Sequence, residues 1–296
     1  SLSMSADNEL VVAGWVAADT GAVFHSRDEG RSWQLLGGVP LSGQVPAGYT
    51  WLAQSLTGSG FAADGSIVVF ERLAYNDGRP YEGFSDETLA FLNGLKANNS
   101  RDWFDANRKS YEAAVKAPSK AFSDIMAGEL ERLTGTAQKP KIFRINRDIR
   151  FSKDKTPYNT HIHISWMPVG GGEGAPAFMF GLSTEYCTLG CGTFEFPKPM
   201  LERYRETIAG ARGEELGKMI DGLIADGYRL NEPALKRVPA GFPADHPRAA
   251  LSLHKGLALW RDFESSQSAT EPDLMRKCLG HFETLLPFWR FLSAAG

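Results

Sequence analysis

Three cysteines among 296 residues, no run of 18 or more apolar residues and no lysine before Lys96 are what this sequence withholds first. Cys187, Cys191 and Cys278 are odd in number and too few for a disulfide framework, so reduced thiols in a cytoplasmic protein are expected. Cys187 and Cys191 are not spaced as CxxC, and no second Cys/His pair with zinc spacing follows them. Without a long apolar run no helical membrane span is encoded. No basic residue precedes the first apolar run at Leu10, which argues against a secretory signal. The chain also lacks a GK(S/T) phosphate loop and a GxSxG nucleophile elbow, so neither of those chemistries has a sequence basis.

What is present is ample apolar material, 43% of all residues, enough for buried cores in two domains or one large one. The net charge of −3 conceals a division. Residues 1–80 hold four arginines against eight acids, while the remainder holds 28 basic and 27 acidic groups. This break coincides with the turn-rich Asn76-Asp77-Gly78-Arg79-Pro80, so a β-rich segment over 1–80 and an α+β domain over 81–296 are expected.

In the first segment, short apolar runs at Leu10 to Val16, Ala22 to His25, Trp33 to Leu36 and Ile67 to Phe70 alternate with Gly, Asp and Pro, the pattern of strands. Ser26-Arg27-Asp28-Glu29-Gly30-Arg31-Ser32-Trp33 resembles the Asp-box of sialidases and related β-propellers. Its spacing suits a hairpin turn: Asp28 accepts from turn amides, Gly30 takes positive φ, and Trp33 packs beneath. A propeller needs at least four blades of about 40 residues, so this segment reads as a partial blade, and a glycosidase would need the missing ones.

From Phe84 the apolar period changes to that of helices. Phe84, Ser85 and Leu89 occupy the N′, cap and N4 positions of a hydrophobic staple, opening a helix with Leu89, Leu92 and Leu95 inward. Ser100 predicts a second helix carrying Trp103, Phe104, Asn107, Tyr111 and Val115 on one side. Pro118 predicts a third, stopped by Gly135. Later come strands over Phe178 to Leu182 and Glu185 to Phe196, joined to what precedes by the glycine-rich Val169 to Ala177, which reads as a flexible hairpin connection. Helices over Pro199 to Arg212 and Glu214 to Ala225, an extended stretch from Tyr228 to Val238, and a last helix from Thr270, bent or broken near Pro287, complete the expectation.

Phe143 to Trp166 is the chemically densest stretch. Residues 139–155 carry seven basic and two acidic side chains. Phe143, Ile145, Ile149 and Phe151 alternate with Arg144, Arg147, Arg150, Lys153 and Lys155, a half-buried ribbon with a cationic edge; Pro157 marks the connection to a second strand, Tyr158 to Trp166. Arginine forks match phosphates and carboxylates, and lysines add point charges, so Arg144, Arg147, Arg150, Lys153, Lys155 and Tyr158 are candidate contacts for a phosphate-bearing small molecule or a nucleic acid, with Tyr158 or Trp166 able to stack a base. The alternative is an internal network in which Arg147 and Arg150 pair with Asp148, Asp154 and helix acids such as Asp102 or Asp105, making the strip structural. His161 and His163, two apart on a strand, share a face and could hold one metal in a metal-assisted hydrolase, though no glutamate stands at the distance of cupin-like sites. Asp245-His246-Pro247 reads as a turn cap. No cofactor and no oligomeric state can be named from these residues.

The stretches FSDETLAFLNGLKANNSRDWFDANRKSYEAAVKAP, RINRDIRFSKDKTPYNTH, GCGTFEFPKPMLERYRETI and HPRAALSLHKGL resemble domain-of-unknown-function family 2461, over about residues 84–292. A lysine is usual in that family where this chain has Asn159. The resemblance implies an α+β fold, helices packed on a mainly antiparallel sheet, in an intracellular protein, and implies no particular activity.

Overall fold

The computed structural model describes residues 83–294 in full and, before them, the backbone of seven strands. The chain divides into two compact units, Ser1–Tyr81 and Glu82–Gly296. In the first, β1 (Leu2–Met4), β2 (Leu10–Ala17), β3 (Thr20–Ser26) and β4 (Gln34–Pro40) form an antiparallel sheet in sequence order. β5 (Tyr49–Thr50), β6 (Leu56–Phe61) and β7 (Ile67–Glu71) form a second, mixed sheet, with β7 central, parallel to β5 and antiparallel to β6. Residues 27–33, and with them the Asp-box turn, lie outside the described residues.

The second unit is an α+β domain. Its first helix, α1 (Asp86–Ala97), starts where Ser85 turns extended and its amide donates to Thr88 Oγ1 at 3.1 Å, with Asp86 and Glu87 in the positive first turn. α2 (Arg101–Ala106) is shorter than its apolar spacing predicts. Asn107 donates from Nδ2 to the Trp103 carbonyl at 2.8 Å, the kind of side-chain bond that competes with a helical ladder, and the chain re-enters helix only as α3 (Arg108–Tyr111). A π-helical turn over Glu112–Lys116 then leads into α4 (Ala117–Thr134). Pro118 has no amide to offer the Ala114 carbonyl; the Thr88 hydroxyl from α1 donates to it instead at 2.6 Å. Gly135, with φ of +72°, ends α4 in the left-handed conformation.

Six strands follow: β8 (Gln138–Ile142), β9 (His161–Pro168), β10 (Ala177–Ser183), β11 (Cys187–Gly192), β12 (Arg229–Leu230) and β13 (Ala258–Asp262). They form one sheet in the order β12-β13-β11-β10-β9-β8, every neighbouring pair antiparallel. Helices α5 (Lys198–Ala209) and α6 (Ala211–Ala225) intervene between β11 and β12, and α7 (Leu274–Ser293) closes the domain. The extended stretch expected from Tyr228 to Val238 shrinks to two strand residues, while β13 corresponds to no expected element. α7 runs on through Pro287; the ladder bond lost there belongs to Glu283, a solvent-exposed position where an unpaired carbonyl costs little. Among the described residues no helix is long and apolar enough to cross a membrane.

Alternation decides the two faces of this sheet. Ile162, Ile164 and Trp166 of β9 stand opposite Leu182, Phe180 and Phe178 of β10, and these in turn oppose Cys187, Leu189 and Cys191 of β11. All are buried, and this face packs on α4 and α7. An aromatic chain fills the layer: Phe84 stacks on Phe180 at 5.8 Å, Phe122 lies 4.7 Å from Phe180 and 6.0 Å from Trp166, and Phe282 contacts Trp166 at 6.1 Å and Phe178 at 5.0 Å. The two indole amides placed in this core are both satisfied, Trp166 by the Ser123 carbonyl at 2.8 Å and Trp289 by the Pro176 carbonyl at 3.1 Å. All three cysteines are buried free thiols.

Candidate functional site

The cationic segment is a loop rather than a ribbon. Its first strand ends at Ile142, ahead of the expected one, and residues 143–160 cross between β8 and β9 with their arms paired only at the base, through the bridge Asn146 to Tyr158 and the amides of Arg147 and Asn159 donating to the Pro157 and Ile145 carbonyls at 2.9 and 2.7 Å, while residues 148–156 close as a loop. The reason lies in the side chains. Arg147 donates to Asp154 Oδ2 at 2.6 Å and to the Thr156 carbonyl at 3.1 Å and also bonds the Thr156 hydroxyl, drawing the chain into a closed turn. Arg150 forks onto Asp148, and Lys155 donates to the Ile149 carbonyl at 3.0 Å. Asp154 is held down to about 2 by amide donation from Thr156 and then by Arg147, so the clasp stays ionised across the neutral range. The acids engaged are Asp148 and Asp154 of the loop itself; Asp105 at the end of α2 pairs with Arg108 at the start of α3. Among the described residues, no hydrogen bond or ion pair occupies the charged ends of Arg144 and Lys153.

Tyr158 is 6% exposed, its ring stacked 4.2 Å from Phe104 and its backbone held on both sides by Asn99. Trp166 is fully buried. Neither ring can stack a base, because both complete the core that the helices need. Among the described residues the exposed aromatics are instead Phe143, Phe151 and Phe194.

The second face of the sheet brings together groups far apart in sequence. Antiparallel register sets Phe143 beside His163, His163 beside Gly181, Gly181 beside Thr188, and Thr188 beside Asp262 in one row. The next row runs Lys141, Ser165, Met179, Gly190, Trp260, Arg229. Gly181, Gly190 and Gly192 thus fall on the two central strands and on this same face. A side chain at Gly190 would lie 2.6 Å from Trp260 Cε3, so the glycine admits the indole against the sheet; at Gly192, φ of +144° and a Leu257 carbonyl 2.1 Å from a would-be Cβ demand glycine outright. Beside the indole, over Gly181 and Gly192, a cleft of about 520 Å³ opens, bordered by Phe143, Met167, Phe194 and Trp260, with Lys141 at its margin.

His161 and His163 lie on this face as their spacing predicts, rings stacked at 4.0 Å. His163 Nε2 shares a hydrogen bond with the Tyr186 hydroxyl at 2.9 Å. Burial, and then His161, push His163 down to about 4; burial and the Arg147 guanidinium lower His161 as well. Both imidazoles are therefore neutral near pH 7. Among the described residues no three His, Cys, Asp or Glu side chains are grouped to hold a metal ion, so the pair lacks a third protein ligand. On the far side of this face, Arg229 forks onto Asp262 at 2.7 and 3.0 Å, and Thr188 donates to Asp262 Oδ1 at 2.6 Å. Those bonds, Arg229's first, depress the Asp262 carboxyl. His246 accepts the Arg248 amide at 3.1 Å, a turn contact, while Arg248 itself caps the end of α5 through the Ile208 and Gly210 carbonyls.

Tyr186, Thr188, Arg229, Trp260 and Asp262 carry no motif; what marks them is register, and the nearest thing to a sequence signal is the glycine at every second place in Gly190-Cys191-Gly192. The domain thus defines a class: helices layered on one face of an antiparallel sheet, with a glycine-floored cleft on the other. The chain belongs to the conserved hypothetical proteins of family DUF2461, whose sequence profile matches residues 87–291. No curated protein matches it in sequence.

Proposed function

We propose that this protein binds a small phosphate-bearing or otherwise anionic ligand, and that the site is the cleft on the second face of the sheet with its cationic margin. The carrying observation is the cleft of about 520 Å³ itself, lined by His163, Thr188, Gly181 and Gly192 on the open face of the sheet and reaching Lys141. A cavity of that size suits a small molecule. The cation that supports the reading at the cleft is Lys141, whose ammonium lies 4.7 Å above the Phe143 ring at the mouth; Arg144, which does not line the cleft, is the next cation in the chain and bears no ion pair among the described residues. Arg147 and Arg150 are better read as braces, since their charge is spent on Asp154 and Asp148.

The test is thermal melting of the full chain and a Lys141→Ala/Arg144→Ala variant against inorganic phosphate, nucleotides, sugar phosphates and short single-stranded RNA. Both positions are exposed, so the variant keeps its melting point without ligand. A ligand at about a hundred times its Kd adds about 2.7 kcal/mol to the wild type and raises its melting point, and the variant loses that rise. Equal rises in both proteins would overturn the assignment of the margin, and no rise with any anion would overturn the reading itself.

A further inference from the structure

A second lobe of about 630 Å³ continues the cleft toward β12, sharing His163, Thr188 and Trp260 with the first. Its chemistry differs. The walls are hydroxyls of Tyr186, Thr188 and Ser265, the carboxylates of Glu185, Asp262 and Glu264, the Arg229 guanidinium, and the Trp260 ring. We propose that this lobe is a sugar subsite, so that the ligand of the cleft is a glycosyl compound bearing its anionic group toward Lys141; only the placing of that anion rests on the reading above.

Three features argue for hydroxyls as the partner. First, two of the three carboxylates are already neutralised: Lys96 pairs with Glu185, and Arg229 with Asp262. A cationic amine would find only the exposed Glu264 unspent, a weak attraction in water. Second, a neutralised carboxylate still has free lone pairs, Arg229 still has N–H donors beyond the two on Asp262, and the Ser265 hydroxyl, which accepts the Gln267 amide, keeps its O–H to donate. Adjacent groups that accept and donate are what vicinal diols pair with, each sugar hydroxyl being both donor and acceptor. Third, Trp260 lies between the lobes over Gly190, where any side chain would displace it. An indole held in place gives the C–H side of a pyranose an apolar surface to pack against, with the Arg229 guanidinium carbon over the ring, 5.8 Å from its centroid. His163, kept neutral, adds a further hydrogen-bonding group without a charge to desolvate.

The experiment is calorimetric titration of the full chain with inorganic phosphate, glucose, galactose and mannose, their 6-phosphates, and putrescine. At least one hexose phosphate is expected to bind about tenfold or more tightly than inorganic phosphate. Arg229→Ala, at an exposed position confined to the second lobe, and independently Tyr186→Phe, should each remove that gain while phosphate affinity stays as in the wild type. Hexose phosphates binding no better than phosphate would overturn the sugar subsite and leave the anion reading standing. Tight binding of putrescine would overturn it in favour of an amine site. A neutral hexose that binds where no phosphate compound gains from its charge would uphold the subsite and remove the anion.

Discussion

His163 makes this protein's stability depend on pH in a way that can be worked out from its surroundings. In the unfolded chain its pKa is about 6.5; in the fold, burial and the neighbouring His161 lower it to about 4. Because the folded value lies below the unfolded one, the unfolded state takes up the proton first as pH falls. The stability is fully present above about 6.5 and is lost progressively between about 6.5 and 4. At about pH 5 the unscreened loss would be about 2 kcal/mol, and the partial solvent access of the ring reduces this to about 1 kcal/mol. For a domain of this size that is about 2 to 4 °C of melting temperature. His163→Gln keeps a hydrogen-bonding partner for Tyr186 and cannot titrate, so the fall in melting temperature between about pH 7.5 and pH 5, followed by circular dichroism, should be smaller by that amount. Asp154 does not confuse the comparison, since its own window opens below 3.8. Identical pH profiles for the two proteins would refute the argument that His163 is held neutral by burial.

Gly192→Ala should cost more than about 3 kcal/mol in urea denaturation, because φ of +144° and the Leu257 carbonyl leave no room for a methyl group; a stable variant would mean that β11 and β13 are not apposed as described. Phe180→Ala, at the centre of the aromatic chain, should cost about 3 to 5 kcal/mol, and a loss below about 1 kcal/mol would remove that layer from the core. Cys187, Cys191 and Cys278 should resist a thiol-specific reagent in the native protein and all react once it is unfolded, since burial pushes Cys187 up to about 12 and the other two well above their usual range; rapid native labelling would contradict this. Arg147→Ala should lower stability by only about 1 kcal/mol, its ion pair being solvent-facing, yet speed proteolysis within residues 148–155; unchanged cleavage would show the loop closed without that clasp.

Much of the domain was legible because its causes are local. Ser85 with its acidic first turn, Pro118 at the start of α4 and Gly135 at its end act within a few residues, and the helices begin and stop near them. The strands β9 and β10 were legible from alternation, and the spacing of His161 and His163 was enough to place them on one face. The cationic segment failed as a strand for a reason that alternation does not register: Arg147 finds Asp154 and Thr156 nine residues on at most, and a closed loop satisfies them where a strand would hold them apart.

The helical ends, the apolar faces and the concentration of cations before β9 follow from neighbours along the chain and could be read there. What faces what is a matter of long-range pairing. β13 joins β11 from some 70 residues away, bringing Trp260 over Gly190 and Asp262 to Thr188, while β12 adds Arg229 at the edge. Strand pairing at that separation depends on how the whole core closes, not on any local preference, and the cleft takes its walls from that pairing.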